Sequence, residues 1–153
     1  MQARMKNPAL VVPDVMNGFM ALHAAIEKSG LPTKLTALVH LRVSQINGCG
    51  VCLSMHQAMA EKVGETEDRS LTVAGWRDVP AFTDAERAAL ALAEHVTRMA
   101  DRSDPVPDAI WNEAARHFDE KALGALLLSI SMTNVWNRLN VSTRQVAGEV
   151  HWK

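Results

Sequence analysis

The segment KALGALLLSISMTNVWNRL, residues 121–139, constrains the fold more than any other. Leu123, Leu126, Leu127, Leu128, Ile130, Met132, Val135 and Trp136 do not fall on a single stripe of 3.6-residue period. A helix that is apolar on more than one face must be covered on more than one side. A chain of 153 residues is long enough to bury one such helix inside a bundle of others. The bundle can cover it alone, or a second copy of the chain can share the task.

The other segments supply helices for that bundle. Val15 to Ser29 reads as a first helix, with Asp14 as cap, Met16, Phe19, Met20 and His23 on one stripe, and Gly30 and Pro32 as its stop. Thr33 to Ile46 is a second helix, broken by Asn47-Gly48, two residues that tolerate the left-handed conformation. A third starts near Cys49 and runs to about Lys62, where Gly64 ends it. Thr66 to Val73 is a short helix, followed by a GWRDVP turn. Thr83 and Glu86 form a capping box for a helix reaching about Ala100. Asp108 to His117 and Asp119 to about Leu139 complete the set, with Ser142 as the cap of a short terminal piece. No segment reads as a strand hairpin. The expectation is an all-α bundle with short connections, a single domain over residues 1–153.

Composition removes several functional classes. Sixteen basic and seventeen acidic residues nearly cancel, which leaves no basic field for nucleic acid. No apolar run approaches the ~20 residues of a membrane span. The N-terminal stretch is too interrupted by Pro8, Pro13 and Asp14 for a signal peptide, so the expected location is the cytoplasm. In a reducing compartment, two cysteines spaced C-x-x-C serve catalysis or metal binding more often than permanent stapling.

Those cysteines lie in QINGCGVCLSMH, residues 45–56. On a helix beginning near Cys49, Cys49 and Cys52 share a face at i,i+3, and Cys52 and His56 share it at i,i+4. The helix N-terminus stabilises a thiolate at Cys49. His56 can take the Cys52 proton, and Gly48 and Gly50 leave the approach to the sulfurs open. Read as a reversible dithiol, Cys52 attacks a peroxide and becomes a sulfenic acid, and Cys49 condenses with it to a disulfide that an outside thiol reduces. Two other readings stay open. One is a soft-metal site, which needs a fourth ligand from His40 or a carboxylate. The other is a pair of buried, inert thiols.

The stretch LRVSQINGCGVCLSMH resembles the signature of the AhpD-like alkylhydroperoxidases of the carboxymuconolactone decarboxylase family. GETEDRSLTVAGWRDVPAFTDAERAALALAEHVT and NVWNRLN resemble further family segments, in order, over roughly residues 15–140. The resemblance implies an all-helical subunit that forms trimers or hexamers. It implies thiol peroxidase chemistry, with Cys52 forming the sulfenic acid, Cys49 as its disulfide partner and proton donor, and His56 in a proton relay. Decarboxylase members of the wider family typically lack the cysteine pair. One position departs from the pattern: AhpD proteins carry a glutamate twelve residues before the first cysteine, and here that residue is Ala37. No carboxylate occurs between Thr33 and Gln57, and His40 is the only nearby candidate to extend the relay.

The remaining candidates have plainer roles. Asn47 is explained by its turn, Ser44 and Gln45 by the last turn of their helix, and Trp136 by the core. Asn137 belongs to the family-like stretch, and Arg138 suits an ion pair better than a catalytic role. His95, His117 and His151 have no clustered partners and are expected at the surface, and the methionines serve as adaptable packing. The sequence thus points to a dithiol peroxidase or disulfide reductase that needs no cofactor or resident metal. Its partners would be a hydroperoxide, a thiol reductant and further copies of itself. The alternative is a redox-sensing or metal-binding protein that uses the same Cys49, Cys52 and His56.

Overall fold

A computed structural model describes residues 1–148 of the chain, so the expectation for His151 lies outside the described residues. Gly48 takes φ 66° and ψ 31°, a left-handed conformation that suits glycine and closes the helix before it. The chain then turns back, and Cys49 caps the next helix. The hairpin that carries the dithiol is therefore made by the residue types at 47–49.

Eight α-helices occur among the described residues, with no strand. They are α1 (Pro8–Val11), α2 (Val15–Glu27), α3 (Thr33–Asn47), α4 (Gly50–Lys62), α5 (Glu67–Thr72), α6 (Asp84–Thr97), α7 (Asp108–His117) and α8 (Glu120–Thr143). A single 3₁₀ turn, Val73–Gly75, follows α5. The all-α bundle is as expected. The capping box of Thr83 and Glu86 forms at the start of α6, and Thr66 and Asp119 cap α5 and α8 through their side chains.

Three details differ from expectation. Asp14 stands before α2, but it has φ 65°, in the left-handed region rather than the extended conformation usual for a capping residue, and makes no side-chain capping bond. Ser142 caps nothing: α8 runs on to Thr143, because Asn140 and Thr143 continue its buried stripe. The short α1 escapes a periodicity reading because it is one turn long. Asn7 makes it by capping Ala9 N–H, and Pro8 fits its first position.

The centre of the bundle is α3, which packs on α4, α6 and α8. Leu38, Val39 and Val43 of α3, Leu90 and Leu92 of α6, and Leu126 and Ile130 of α8 are fully buried. At side chains of this size, burial contributes about 1.5–3 kcal/mol each. The α3–α6 contact also encloses an ion pair. Glu94 receives Arg42 Nε (2.7 Å), Trp76 Nε1 (3.0 Å) and Arg77 (3.0 Å). Burial alone would raise the Glu94 pKa; hydrogen bonds from Trp76 and Arg42, with the Arg42 charge, outweigh it and hold the carboxyl below its ordinary value.

Helix α8 is not enclosed on all sides by its own chain. Leu128, Val135 and Val141 are 40–49% exposed. Its buried stripe changes character along its length. Leu123, Leu126 and Ile130 give way to Thr133, Asn134, Asn137, Asn140 and Thr143. That polar half faces the α3–α4 hairpin and the N-terminal segment.

Candidate active site at the α3–α4 hairpin

Cys49 and Cys52 are joined in a disulfide with a Cα–Cα distance of 5.3 Å. Cys49 occupies the N-cap of α4, where its Sγ accepts the backbone N–H of Cys52 at 3.3 Å. A sulfur there meets unpaired amides and the positive end of the helix dipole. Gly50 is exposed and open space surrounds its α-carbon, so the glycine side of the hairpin is unobstructed. The sulfur-bearing residues themselves are not open, at 1% and 3% exposure for Cys49 and Cys52. This corrects the expectation of an accessible pair. Cys49 is turned into its own helix end, and Asn140 of α8 donates Nδ2–H to Cys52 Sγ at 3.4 Å.

His56 follows Cys52 by one turn of α4. Its ring lies 4.8 Å from that of His40 on α3, centroid to centroid. The Nδ1 atom of His56 is buried and has no hydrogen-bond partner among the described residues. His40 Nε2 and Ser129 Oγ of α8 share a hydrogen bond of 2.7 Å. Burial, then the proximity of His23 on α2, lowers the His56 pKa to about 4. Burial, then His56 and His23, holds His40 well below the ordinary value. Both rings are therefore neutral at pH 7. His23 itself stands 3.4 Å from Glu27.

The structure brings together Cys49, Cys52, His40 and His56 from two helices adjacent in sequence. It also gives plainer residues more work than the sequence assigns them. Asn47 is more than a turn residue, donating to Asn134 Oδ1 (2.9 Å) and Asn137 Oδ1 (2.8 Å). Asn137 donates to Ser44 Oγ (3.1 Å), tying α8 to the last turn of α3. Gln45 instead accepts from Arg42 at 3.3 Å. Arg138 bonds to the backbone and side-chain oxygens of Asn134, so those two contacts, rather than an ion pair, hold it. Trp136 is half-buried and meets Phe19 of α2 edge-on at 4.8 Å. His117 is exposed as expected, whereas His95 is half-buried because its Nδ1 meets the Pro105 carbonyl at 2.8 Å and anchors the loop before α7. Asn140, Asn7 and His23 were missed as site residues. The i,i+3 recurrence of Asn134, Asn137 and Asn140 in an otherwise apolar helix was the available signal for the first.

Among the described residues, no group of three or more His, Cys, Asp or Glu is arranged to hold a metal ion. No helix among them is long and apolar enough to cross a membrane.

An all-helical bundle with a C-x-x-C pair at a helix start and a histidine one turn on defines an AhpD-like protein. The chain belongs to the carboxymuconolactone decarboxylase family, whose model matches residues 13–95. It is 33% identical over 132 residues to the uncharacterized protein YdfG of Bacillus subtilis (strain 168), covering 86% of this chain and 88% of that one. It is 36% identical over 116 residues to the uncharacterized protein YnjA of Escherichia coli (strain K12), covering 74% of this chain and 61% of that longer one. A crystal structure from Agrobacterium tumefaciens, of a protein of unknown function provisionally described as the antioxidant defence protein AhpD, superposes with a TM-score of 0.88. The two are 30% identical, with 97% of this chain and 100% of that one covered. The debrominase Bmp8 shares the fold at a TM-score of 0.79 and 22% identity, over 90% of this chain and 73% of that one.

Proposed function

We propose that this protein is a thiol-dependent peroxidase or disulfide reductase of antioxidant defence. Cys52 is the attacking residue, Cys49 its disulfide partner and His56 the proton acceptor. The Cys52 thiolate attacks one oxygen of a hydroperoxide, the O–O bond breaks, and the alcohol leaves after protonation. Cys52 is then a sulfenic acid. The Cys49 sulfur displaces its hydroxyl as water, and the disulfide forms. A dithiol reductant of the cell donates two electrons and two protons to restore the pair.

The observation that carries this reading is the Cys49–Cys52 disulfide at the start of α4. In this oxidised form the two Cα atoms stand 5.3 Å apart with α4 intact, which supports the disulfide as the product of the second step. Neutral His56 is in the form that can accept a proton. With a pKa of about 4 it is a weak base. Its orphaned Nδ1 is the atom at which a carboxylate would be expected to act, since buried polar atoms in folded proteins are almost always paired. Ala37, buried in α3 one turn before His40, holds the position where AhpD proteins have glutamate. Peroxide turnover should therefore be slow. His40, hydrogen-bonded to Ser129 at 2.7 Å, would extend the relay. The protein would work in the cytoplasm as a homo-oligomer, a trimer or hexamer, that covers the exposed apolar side chains of α8.

A trapping reagent for sulfenic acids tests the assignment of roles. Cys49→Ser treated with one equivalent of a hydroperoxide should accumulate trapped Cys52, and Cys52→Ser should show none. The reverse pattern would exchange the roles of the two cysteines.

A further inference from the structure

Asn140 sits where no acid, base or nucleophile is expected, in the last turns of an apolar helix, and it touches a reacting atom. Its Nδ2 lies 3.4 Å from Cys52 Sγ. That sulfur, here in a disulfide, stands in for the Cys52 thiolate of the reduced protein. Which end of the Asn140 amide faces the sulfur follows from a chain of contacts. The backbone N–H of Ala9 can only donate, and it meets Asn7 Oδ1 at 2.9 Å. Asn7 therefore turns its Nδ2 the other way, to Asn140 Oδ1 at 2.7 Å. Asn140 is left with its N–H for Cys52. Asn7, Asn140 and Cys52 are 2%, 3% and 3% exposed, so water does not compete. The N-terminal segment is held over α8 by Arg4 N–H to the Thr143 carbonyl (2.8 Å) and by Gln145 to the Met5 carbonyl (2.8 Å).

We propose that Asn140 is a catalytic residue that stabilises the Cys52 thiolate by a hydrogen bond, and that Asn7 is the positioning residue that fixes the direction of its amide. The proposal deepens the peroxidase reading and rests on it for the importance of Cys52. Hydrogen bonds to a charged partner are about twice as strong as neutral ones. The bond thus favours the ionised sulfur and lowers its pKa. It supplies part of what the weakly basic His56 does not. Its cost in sequence is small, because Asn7 serves at once as the cap of α1. The nearest titratable group along α4 is His56, one turn after Cys52; its ring meets His40 of α3 at 4.8 Å, and His23 of α2 acts on both histidines. From α8, Ser129 meets His40, and the contact to Cys52 is the neutral amide of Asn140.

The test is the pH dependence of iodoacetamide alkylation of Cys52 in the Cys49→Ser background, where serine keeps an N-cap oxygen on α4. Asn140→Leu keeps the branching and heavy-atom count of the amide and removes its N–H. It should raise the alkylation midpoint by roughly one pH unit, the size expected for one hydrogen bond to a charged group. Asn7→Ser, which keeps a cap oxygen and loses the amide, should shift the midpoint in the same direction by less. In the Cys52→Ser background the Cys49 midpoint should not move with either substitution. A folded Asn140→Leu with an unchanged Cys52 midpoint, or with equal shifts at both cysteines, would overturn the proposal. If Asn140→Leu does not fold, Asn140→Ser, whose hydroxyl is too short to reach the sulfur, decides by the same criterion. Alkylation requires no peroxide turnover. An inactive wild-type with the selective shift would refute the peroxidase reading alone, and an active one without the shift would refute this inference alone.

Discussion

His40 and His56 face each other across the α3–α4 hairpin at 4.8 Å, both neutral, with Ser129 bonded to one and the Nδ1 of the other unpaired among the described residues. Two buried histidines with depressed pKa values make folding sensitive to acid. The unfolded chain binds protons at these residues first, as pH falls below its ordinary histidine value near 6.5. The folded chain resists until about pH 4 at His56. The His56 contribution is therefore fully present above about pH 6.5 and is lost between there and about pH 4, and His40, held low by burial, acts in the same direction. Urea midpoints should fall across that window, and His56→Gln should flatten the slope.

Ala37→Glu should restore a partner to the relay. A carboxylate reaching His56 Nδ1 would raise the basicity of the ring and fill the unpaired site. General-base assistance contributes roughly 10²–10⁴-fold, and recovery of part of it should raise peroxide turnover at least several-fold. Alkylation of Cys52 should move to lower pH. A folded variant with unchanged turnover and an unchanged alkylation profile would remove the proposed relay geometry.

His40→Ala separates two roles for that ring. If His40 extends the relay to Ser129, turnover should fall while the disulfide still forms on mild oxidation. Equal turnover in the variant, measured with thiol content unchanged, would make His40 a packing residue.

Glu94→Gln tests the platform beneath the site. The substitution leaves the guanidinium of Arg42, 12% exposed in its side chain, without its charge partner. Breaking such a pair costs roughly 3 kcal/mol, read as a lower denaturation midpoint. The Cys52 alkylation profile should not change, since Glu94 acts on the α3–α6 contact rather than on the hairpin.

Much of this architecture was legible in the sequence because it rests on local rules. Thr83 with Glu86, Asn47 with Gly48, and the 3.6-residue stripes each specify a helix or its end without help from distant residues. The proximity of Cys49 and Cys52 was legible for the same reason, since they stand three residues apart at one helix start, although that spacing left a metal site and a pair of inert thiols open beside the disulfide. Asn7 and Asn140 are 133 residues apart, and only the folded bundle brings them together. The burial of the sulfurs was misread because glycine neighbours report on the near side of the hairpin, while α8 and the N-terminal segment close the far side. The sequence reading of α8 rested on its apolar residues from Leu123 to Trp136, which fall on more than one face, and gave its asparagines no part in the site. Their i,i+3 spacing carried the information instead.

The central claim is that Cys49 and Cys52 form a working two-electron couple. Reduced protein should be titrated with a hydroperoxide and its free thiols counted at each addition. One equivalent of peroxide should remove two thiols per chain and leave an intramolecular Cys49–Cys52 disulfide by peptide mass, and dithiothreitol should restore both. Thiols that survive excess peroxide, or that are lost only into disulfides between chains, would contradict the account.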